Sequence, residues 1–318
     1  TLYQRANVSM KRIESVLYVM NNSDTQAMVH LQRQAPNGNT SGAPVQEMVP
    51  AHGLGRIVAT VPAGEEGASV YHVVALMSNQ IHVVLINQRQ MRWISAHGPM
   101  YSRFVAVAAE RALSFTAFHP LLRTAGIDGD AVTTILNVAS LGADSGTMAA
   151  QIYPQGTASP IALMRAVQPM GYATVDLATL TGSEAMPPGF SGSTVVSSNQ
   201  FIVSSAAVLP GPNVHWSLDS YETGEAATRH LLTGIEKGND RFSTLAVQNT
   251  SPTVASVTLK YFAANGMLTF TNPVVQVAPG SNRMFELRAE PGLPAGFKGA
   301  ALVTADQRTV EFSVDGKR

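Results

Sequence analysis

A serine set among glycines, in Gly189-Phe190-Ser191-Gly192-Ser193, is an arrangement that can expose a hydroxyl nucleophile on a tight turn. His52 in Pro50-Ala51-His52-Gly53 is a candidate base for it. Acyl transfer needs a serine, a histidine and an acid converging in one pocket. His52 lies far earlier in the chain, and the later copy of the same motif, Gly296-Phe297-Lys298-Gly299, has lysine where Ser191 stands. Gly-Phe-x-Gly is therefore read as a turn. Gly189 and Gly296 supply its backbone freedom, and Phe190 and Phe297 each plug a core.

The other candidate chemistries are thinner. Histidines stand at 30, 52, 72, 82, 97, 119, 215 and 230, without the helical His-x-x-x-His spacing of a zinc site. His72 and His82 could meet across a hairpin, but ordinary strand histidines are expected. Asp128-Gly129-Asp130 and Asn239-Asp240 lack the ligand count of a calcium loop and are read as solvated turns. Trp93, Tyr101, Trp216 and Tyr221 cluster in two connecting segments, where aromatic rings can stack on a sugar, anchor a protein contact, or cover the end of a core. There is no Gly-rich phosphate loop. No residue is assigned to catalysis, a cofactor or a metal, and the protein is expected not to be an enzyme.

Composition narrows the partners. The 318 residues carry 21 basic and 21 acidic side chains, so no net charge draws the chain to nucleic acid. Charged residues are only 13% of the total, which leaves Ser, Thr, Asn and Gln to solvate the surface. Such a surface costs little to desolvate and suits large, permanent contacts. Cysteine is absent, which excludes disulfides and thiolate sites. No apolar run is long enough to span a membrane as a helix. The chain opens Thr1-Leu2-Tyr3-Gln4 without Met, so its natural start is expected to be processed or to lie elsewhere.

What positions these residues is a repeat of about 110 to 120 residues. Its first landmark is a strand ending at a serine: Leu17 to Ser23, Ile135 to Ser140, and Leu245 to Ser251. The second is a Pro-Gly turn: Pro50-Ala51-His52-Gly53, Pro169-Met170-Gly171 and Pro279-Gly280. The third is read as a strand pair about a tight turn: Ser78-Asn79-Gln80, Ser198-Asn199-Gln200 and Ala305-Asp306-Gln307. Between landmarks the residues alternate with period two. Val257, Leu259 and Tyr261 face inward, as do Val29 and Leu31, and Val310 and Phe312, with Thr309, Glu311 and Ser313 outward. Turn residues recur at Asn37-Gly38, Gln155-Gly156 and Asn265-Gly266.

The pattern predicts an all-β protein of three tandem immunoglobulin-like β-sandwich modules, 1–110, 111–222 and 223–318. The first two carry connectors, near 87–114 and 211–225. The segment Arg103 to Leu113 also admits a helix. Separate cores are expected, with few contacts between modules beyond local ones.

In the third copy, Val247-Gln248-Asn249-Thr250, Pro279-Gly280 and Leu293-Pro294-Ala295-Gly296-Phe297-Lys298-Gly299-Ala300 run toward Val303-Thr304-Ala305-Asp306-Gln307. This resembles the tandem β-sandwich repeats of bacterial secreted and cell-surface proteins, whose copies read VQNT…PG…LPAGFxGSAVVTSDQ. The second copy matches through Pro188-Gly189-Phe190-Ser191-Gly192, whereas the first has Gly64-Glu65-Glu66-Gly67 in place of the motif. The resemblance implies display or assembly outside the cell and brings no catalytic residues. The expectation is an extracellular structural subunit of a surface filament, sheath or layer that associates with copies of itself. The free strand Thr1-Leu2-Tyr3 is a candidate contact. The alternative is an adhesin that holds a glycan or another surface protein through the aromatic connectors.

Overall fold

Alternation of apolar and polar residues commits most of this chain to strands. The computed structural model describes residues 5–6, 13–21, 23–40, 42–61, 67–68, 70–76, 83–86, 91–95, 98–102, 114–124, 132–210, 216–219, 221–222, 225–238 and 241–317. Strands make up most of the described residues, joined by turns and short 3-10 segments, so the all-β expectation holds.

In the first third lie β1 (Arg5–Ala6), β2 (Ile13–Asn21), β3 (Ala27–Gln34), β4 (Val45–Val49), β5 (Leu54–Val61), β6 (Gly67–Ala68), β7 (Val70–Leu76), β8 (Val83–Ile86), β9 (Met91–Ser95) and β10 (Gly98–Ser102). The middle third holds β11 (Ser114–Arg123), β12 (Val132–Ser140), β13 (Gly146–Pro154), β14 (Ile161–Val167), β15 (Tyr172–Asp176), β16 (Ser191–Pro210), β17 (Trp216–Asp219) and β18 (Tyr221–Glu222). The last third holds β19 (Ala227–Lys237), β20 (Arg241–Asn249), β21 (Ala255–Ala263), β22 (Leu268–Thr271), β23 (Val275–Val277), β24 (Asn282–Glu286) and β25 (Phe297–Lys317). All pairs are antiparallel, and among the described residues none joins one third to another.

One wiring scheme recurs. In the last third, β21 lies between β22 and the first half of β25, which pairs on its other side with β19. β20 lies between β24 and the second half of β25. In the middle third, β13 and β11 flank the first half of β16, while β12 takes the second half and β15. β3 with β7, and β2 with β8 and β5, repeat the scheme in the first third.

The third landmark is therefore not a hairpin, which corrects the expectation for the second and third copies. Residues 192–198 pair with β13 and residues 202–210 with β12, so the strand runs straight on and changes sheets. Polar side chains at the crossing replace backbone ladder bonds. Asn199 Oδ1 accepts from the Thr147 N–H at 2.9 Å, and Asp306 Oδ1 accepts from the Ser256 N–H at 2.7 Å. Gln80 lies outside the described residues.

The first landmark also shifts register. The amide of Asn21 donates to Gly53, that of Ser140 to Gly171, and that of Asn249 to Ser281. Ser140 thus corresponds to Asn21 and Asn249, two residues away from the sequence-based match with Ser23 and Ser251. Asn21 and Asn249 are buried corner pieces. Asn21 Nδ2 reaches the carbonyls of Thr25 and Val49, and Asn249 Nδ2 those of Thr253 and Val277. Ser140 is the shorter version, accepting from the Gly142 N–H at 3.2 Å.

The Pro-Gly landmark is a turn with a left-handed residue at the same place each time: His52 (φ 52°), Met170 (φ 53°) and Gly280 (φ 72°). It closes by bonds from Gly53 to Pro50, Gly171 to Gln168, and Ser281 to Ala278, the geometry of a type II turn.

Period-two burial holds on β21, where Val257, Leu259 and Tyr261 are buried and Lys260 is exposed, and on β3, where Val29 and Leu31 are buried. It fails on β20 and on the second half of β25. Residues 242–249 are all buried, as are Thr309 and Glu311, which alternation would turn to solvent. The second face of these strands is covered by another part of the chain.

Candidate functional site

Phe190 packs in the core of the middle third with Leu122, Leu136, Met148 and Val196, and Phe297 in that of the last third with Leu245, Leu259 and Val303. The glycines of the motif have separate duties. Gly189 (φ 68°) and Gly296 (φ 77°) hold left-handed turn positions, closed by bonds from Phe190 to Pro187 and from Phe297 to Pro294. At Gly192 and Gly299 a Cβ would overlap a backbone carbonyl oxygen of the neighbouring strand, that of Tyr153 and Phe262 respectively, and would also press on the ring of Phe190 or Phe297. The hydroxyl of Ser191 lies 3.0 Å from the Met284 thioether. His52 is exposed and pairs with Asp24 at 2.8 Å. The structure brings neither to the other.

Met284 belongs to the last third, and the contact is part of a sealed junction. Ser193 Oγ donates to the Gly280 carbonyl at 2.9 Å. Gln248 Nε2 donates to the carbonyls of Thr194 and Gly280 at 3.1 and 3.0 Å, and Asn282 Nδ2 to that of Pro120 at 2.6 Å. All three donors are buried. Ala246, Met284 and Phe312 pack onto the core of the middle third, and Phe118, Ala226 and Val310 form a second apolar cluster. Tyr153 lies where a Cβ on Gly280 would stand. The expectation of few contacts beyond the connectors is thus wrong at this boundary. The face of β20 and β24 turned away from its own core is covered by β11, β13 and β16, which engages the amide N–H groups of Gln248 and Asn282 but leaves Gln248 Oε1 and Asn282 Oδ1 buried without a hydrogen-bond partner.

The first and middle thirds meet through the same elements. The turn 35–39 after β3 lies against the turn 168–171, with the Tyr172 amide donating to the Pro36 carbonyl at 3.3 Å. A Cβ on Gly38 would overlap the Pro169 carbonyl oxygen, and one on Gly171 that of Pro36. Tyr172 is buried, and Arg33 of the first third acts on it electrostatically.

Buried ionisable groups sit beside the second junction. His119 is fully buried, its Nε2 2.7 Å from Ser204 Oγ, and desolvation lowers its pKa from 6.5 to about 3, so it is neutral. His230 has the opposite fate. Burial works most strongly against its charge, but the bond to Glu311 at 2.6 Å, that carboxylate's charge and the Ala227 carbonyl together outweigh it and raise the pKa. Both ring nitrogens face oxygen acceptors, as an imidazolium requires. Arg123 is buried beside Met284, and desolvation lowers its pKa while Glu286 opposes that shift.

The other sequence-based candidates are dispersed. Thr1, Leu2 and Tyr3, the two acidic junction turns at 128–130 and 239–240, and the segment 103–113 lie outside the described residues. Trp93 and Tyr101 fall on β9 and β10, which pair as a hairpin beside β2. Trp216 lies on β17 opposite Val208, and Tyr221 on β18 opposite Phe118, half-buried against the junction cluster. The connectors thus extend the sheets. Sequence reasoning missed the exposed, stacked pair Phe115 and Phe201, with centroids 4.4 Å apart. It also missed the junction donors Ser193, Gln248 and Asn282, which are neutral polar residues on strands of mixed polarity and carry no distinguishing signal in the sequence.

Among the described residues no group of three acidic or histidine side chains converges as a metal site, and no helix is long and apolar enough to cross a membrane. No family model matches the chain, and no curated protein does. A solved structure described as the crystal structure of Thermotoga maritima 1070 is similar over 34% of this chain and 94% of its own. At 13% identity and a TM-score of 0.29 it carries no argument.

Proposed function

We propose that this protein is a non-enzymatic, extracellular structural subunit, made of three tandem immunoglobulin-like sandwich modules that associate with further copies of the chain. The observation that carries this reading is the junction between the second and third modules. Gln248, Asn282 and Ser193 are committed there to backbone carbonyls across the boundary, inside an apolar surround. Modules that only carried a binding tip would need no such seal, whereas a subunit under load gains from joints that do not hinge. The low share of charged residues, 13%, serves the same end, since contacts between neutral polar faces desolvate cheaply. The repeat resembles those of bacterial secreted and cell-surface proteins, which supports an extracellular site. The test is negative-stain electron microscopy of the purified chain, with fractionation of the source cells. Ordered polymers and a surface or medium location are expected; a monodisperse monomer confined to the cell interior would refute the reading.

A second reading, an adhesin, is favoured by the exposed Phe115–Phe201 stack, an aromatic platform of the kind that sugar rings cover. Glycan retention abolished by Phe115→Ala would place that function ahead.

A further inference from the structure

Resting on the structural-subunit reading, we infer that the face of β19, β21 and the first half of β25 receives the β2–β5 face of a second copy of this chain, reproducing between molecules the junction already made twice within one. The hydrogen bonds fix which residues correspond. β16 and β25 align through Gly192 and Gly299, so Phe118, His119 and Pro120 correspond to Leu231, Leu232 and Thr233. β15, β24 and β5 align through the strand pairs Val138↔Ala173, Val247↔Arg283 and Val19↔Gly55, so Tyr172, Asn282 and Leu54 correspond.

At the internal junctions these positions are covered. Phe118 is buried in the junction cluster, Asn282 is buried with its amide on the Pro120 carbonyl, and Tyr172 is buried with its amide on Pro36. At the two ends of the chain the same positions are open and apolar: Leu231 is 62% exposed and Leu54 57%. Large aliphatic side chains in the places of buried junction residues mark the unfilled halves of one interface.

The turns agree. Ala263 to Met267 repeats Ala35 to Asn39 bond for bond. Gly38 donates to Ala35 and Gly266 to Ala263, Ala35 to Asn39 and Ala263 to Met267, and both glycines have φ 82°. The side chains of Asn37 and Asn265 each accept from the amide two residues on. The first of these turns sits on 168–171, whereas the second is open, with Met267 67% exposed. Its receiver would be Pro50 to Gly53, the equivalent turn of the first third, whose Pro50, Ala51 and His52 are exposed.

Arg123 lies against Met284 at the internal junction. Their equivalents are Glu236, which pairs with Lys298 at 3.7 Å, and the exposed Arg56. Charge neither favours nor opposes the pairing, because Ser191, which also touches Met284, corresponds to Lys298. Because the two faces differ and lie at opposite ends of the repeat, the contact is heterologous, and copies add head to tail.

The chain has no cysteine, so the contact can be tested by directed crosslinking. Leu54→Cys and Thr233→Cys, the equivalents of Asn282 and Pro120, are made in separate chains, mixed and oxidised, with Thr157→Cys, on an exposed turn, as the control partner. A mixed Leu54–Thr233 dimer is expected in at least tenfold excess over the control pair. Leu231→Glu should lower polymer mass at least tenfold while leaving the melting temperature of the chain unchanged. If the chain polymerises but gives no excess of the mixed dimer, and Leu231→Glu polymerises like the parent, these surfaces are wrong and the structural reading survives. If the parent chain stays monomeric at every concentration, both fall.

Discussion

Acid should loosen the middle third through one residue. His119 is buried without charge, and its pKa falls from 6.5 in the unfolded chain to about 3 in the folded one. A group whose folded pKa is depressed contributes stability that is fully present above pH 6.5 and is lost as pH falls toward the folded value, because the unfolded chain takes up the proton first. Each pH unit between those limits costs roughly 1.4 kcal/mol, and the whole interval roughly 5 kcal/mol, comparable with the net stability of a small domain. His119→Gln keeps a donor for Ser204 and removes the titration. Urea unfolding of both proteins, followed at several pH values between 7 and 4, isolates the effect. Below pH 6.5 the parent should lose about 1.4 kcal/mol per pH unit more than the variant, with no difference in slope above it. Parallel pH profiles for the two proteins would show that His119 is hydrated, and the buried geometry at β11 and β16 would be wrong.

The same linkage runs in the other direction at His230, whose pKa is raised beside Glu311. Its contribution is complete below pH 6.5 and disappears as pH rises through the folded value, so Glu311→Gln should flatten the alkaline side of the stability profile; an unchanged alkaline limb counts against the ion pair. Phe190→Ala and Phe297→Ala each empty a core site and should cost about 3 to 5 kcal/mol in chemical denaturation, while Ser191→Ala should cost under about 1. A loss of hydrolytic activity on Ser191→Ala would revive the nucleophile reading. Gly280→Ala sets a side chain against Tyr153 and strains a left-handed turn, whereas Gly266→Ala meets nothing within 4 Å. Calorimetry should show Gly266→Ala costing about 1 to 2 kcal/mol and Gly280→Ala clearly more; equal losses would mean that the second junction is open in solution.

Strand alternation in β3 and β21, the Gly-Phe-x-Gly plugs and the recurring turns were legible because each is a local pattern of residue types. The crossing of β16 and β25 between sheets was not. Asn199 and Asp306 have the chemistry of turn residues, and their actual role, taking over a neighbouring strand's hydrogen bond, depends on a partner some 50 residues away in sequence. Ser140 was misplaced by two residues because it does the work of Asn21 and Asn249 with a different side chain. The junction was hidden for a similar reason. Thr309 and Glu311 read as solvent-facing polar residues on an alternating strand, but β19 of the same third covers them, whereas Val310 and Phe312 on the opposite face, which read as core, pack against the middle third.

Sedimentation velocity of the unmodified chain across a wide concentration range tests the central claim most directly. A self-assembling subunit should shift continuously from monomer to progressively larger species as concentration rises, without stopping at a dimer, as head-to-tail addition requires. A single monomer boundary at every concentration would contradict the account.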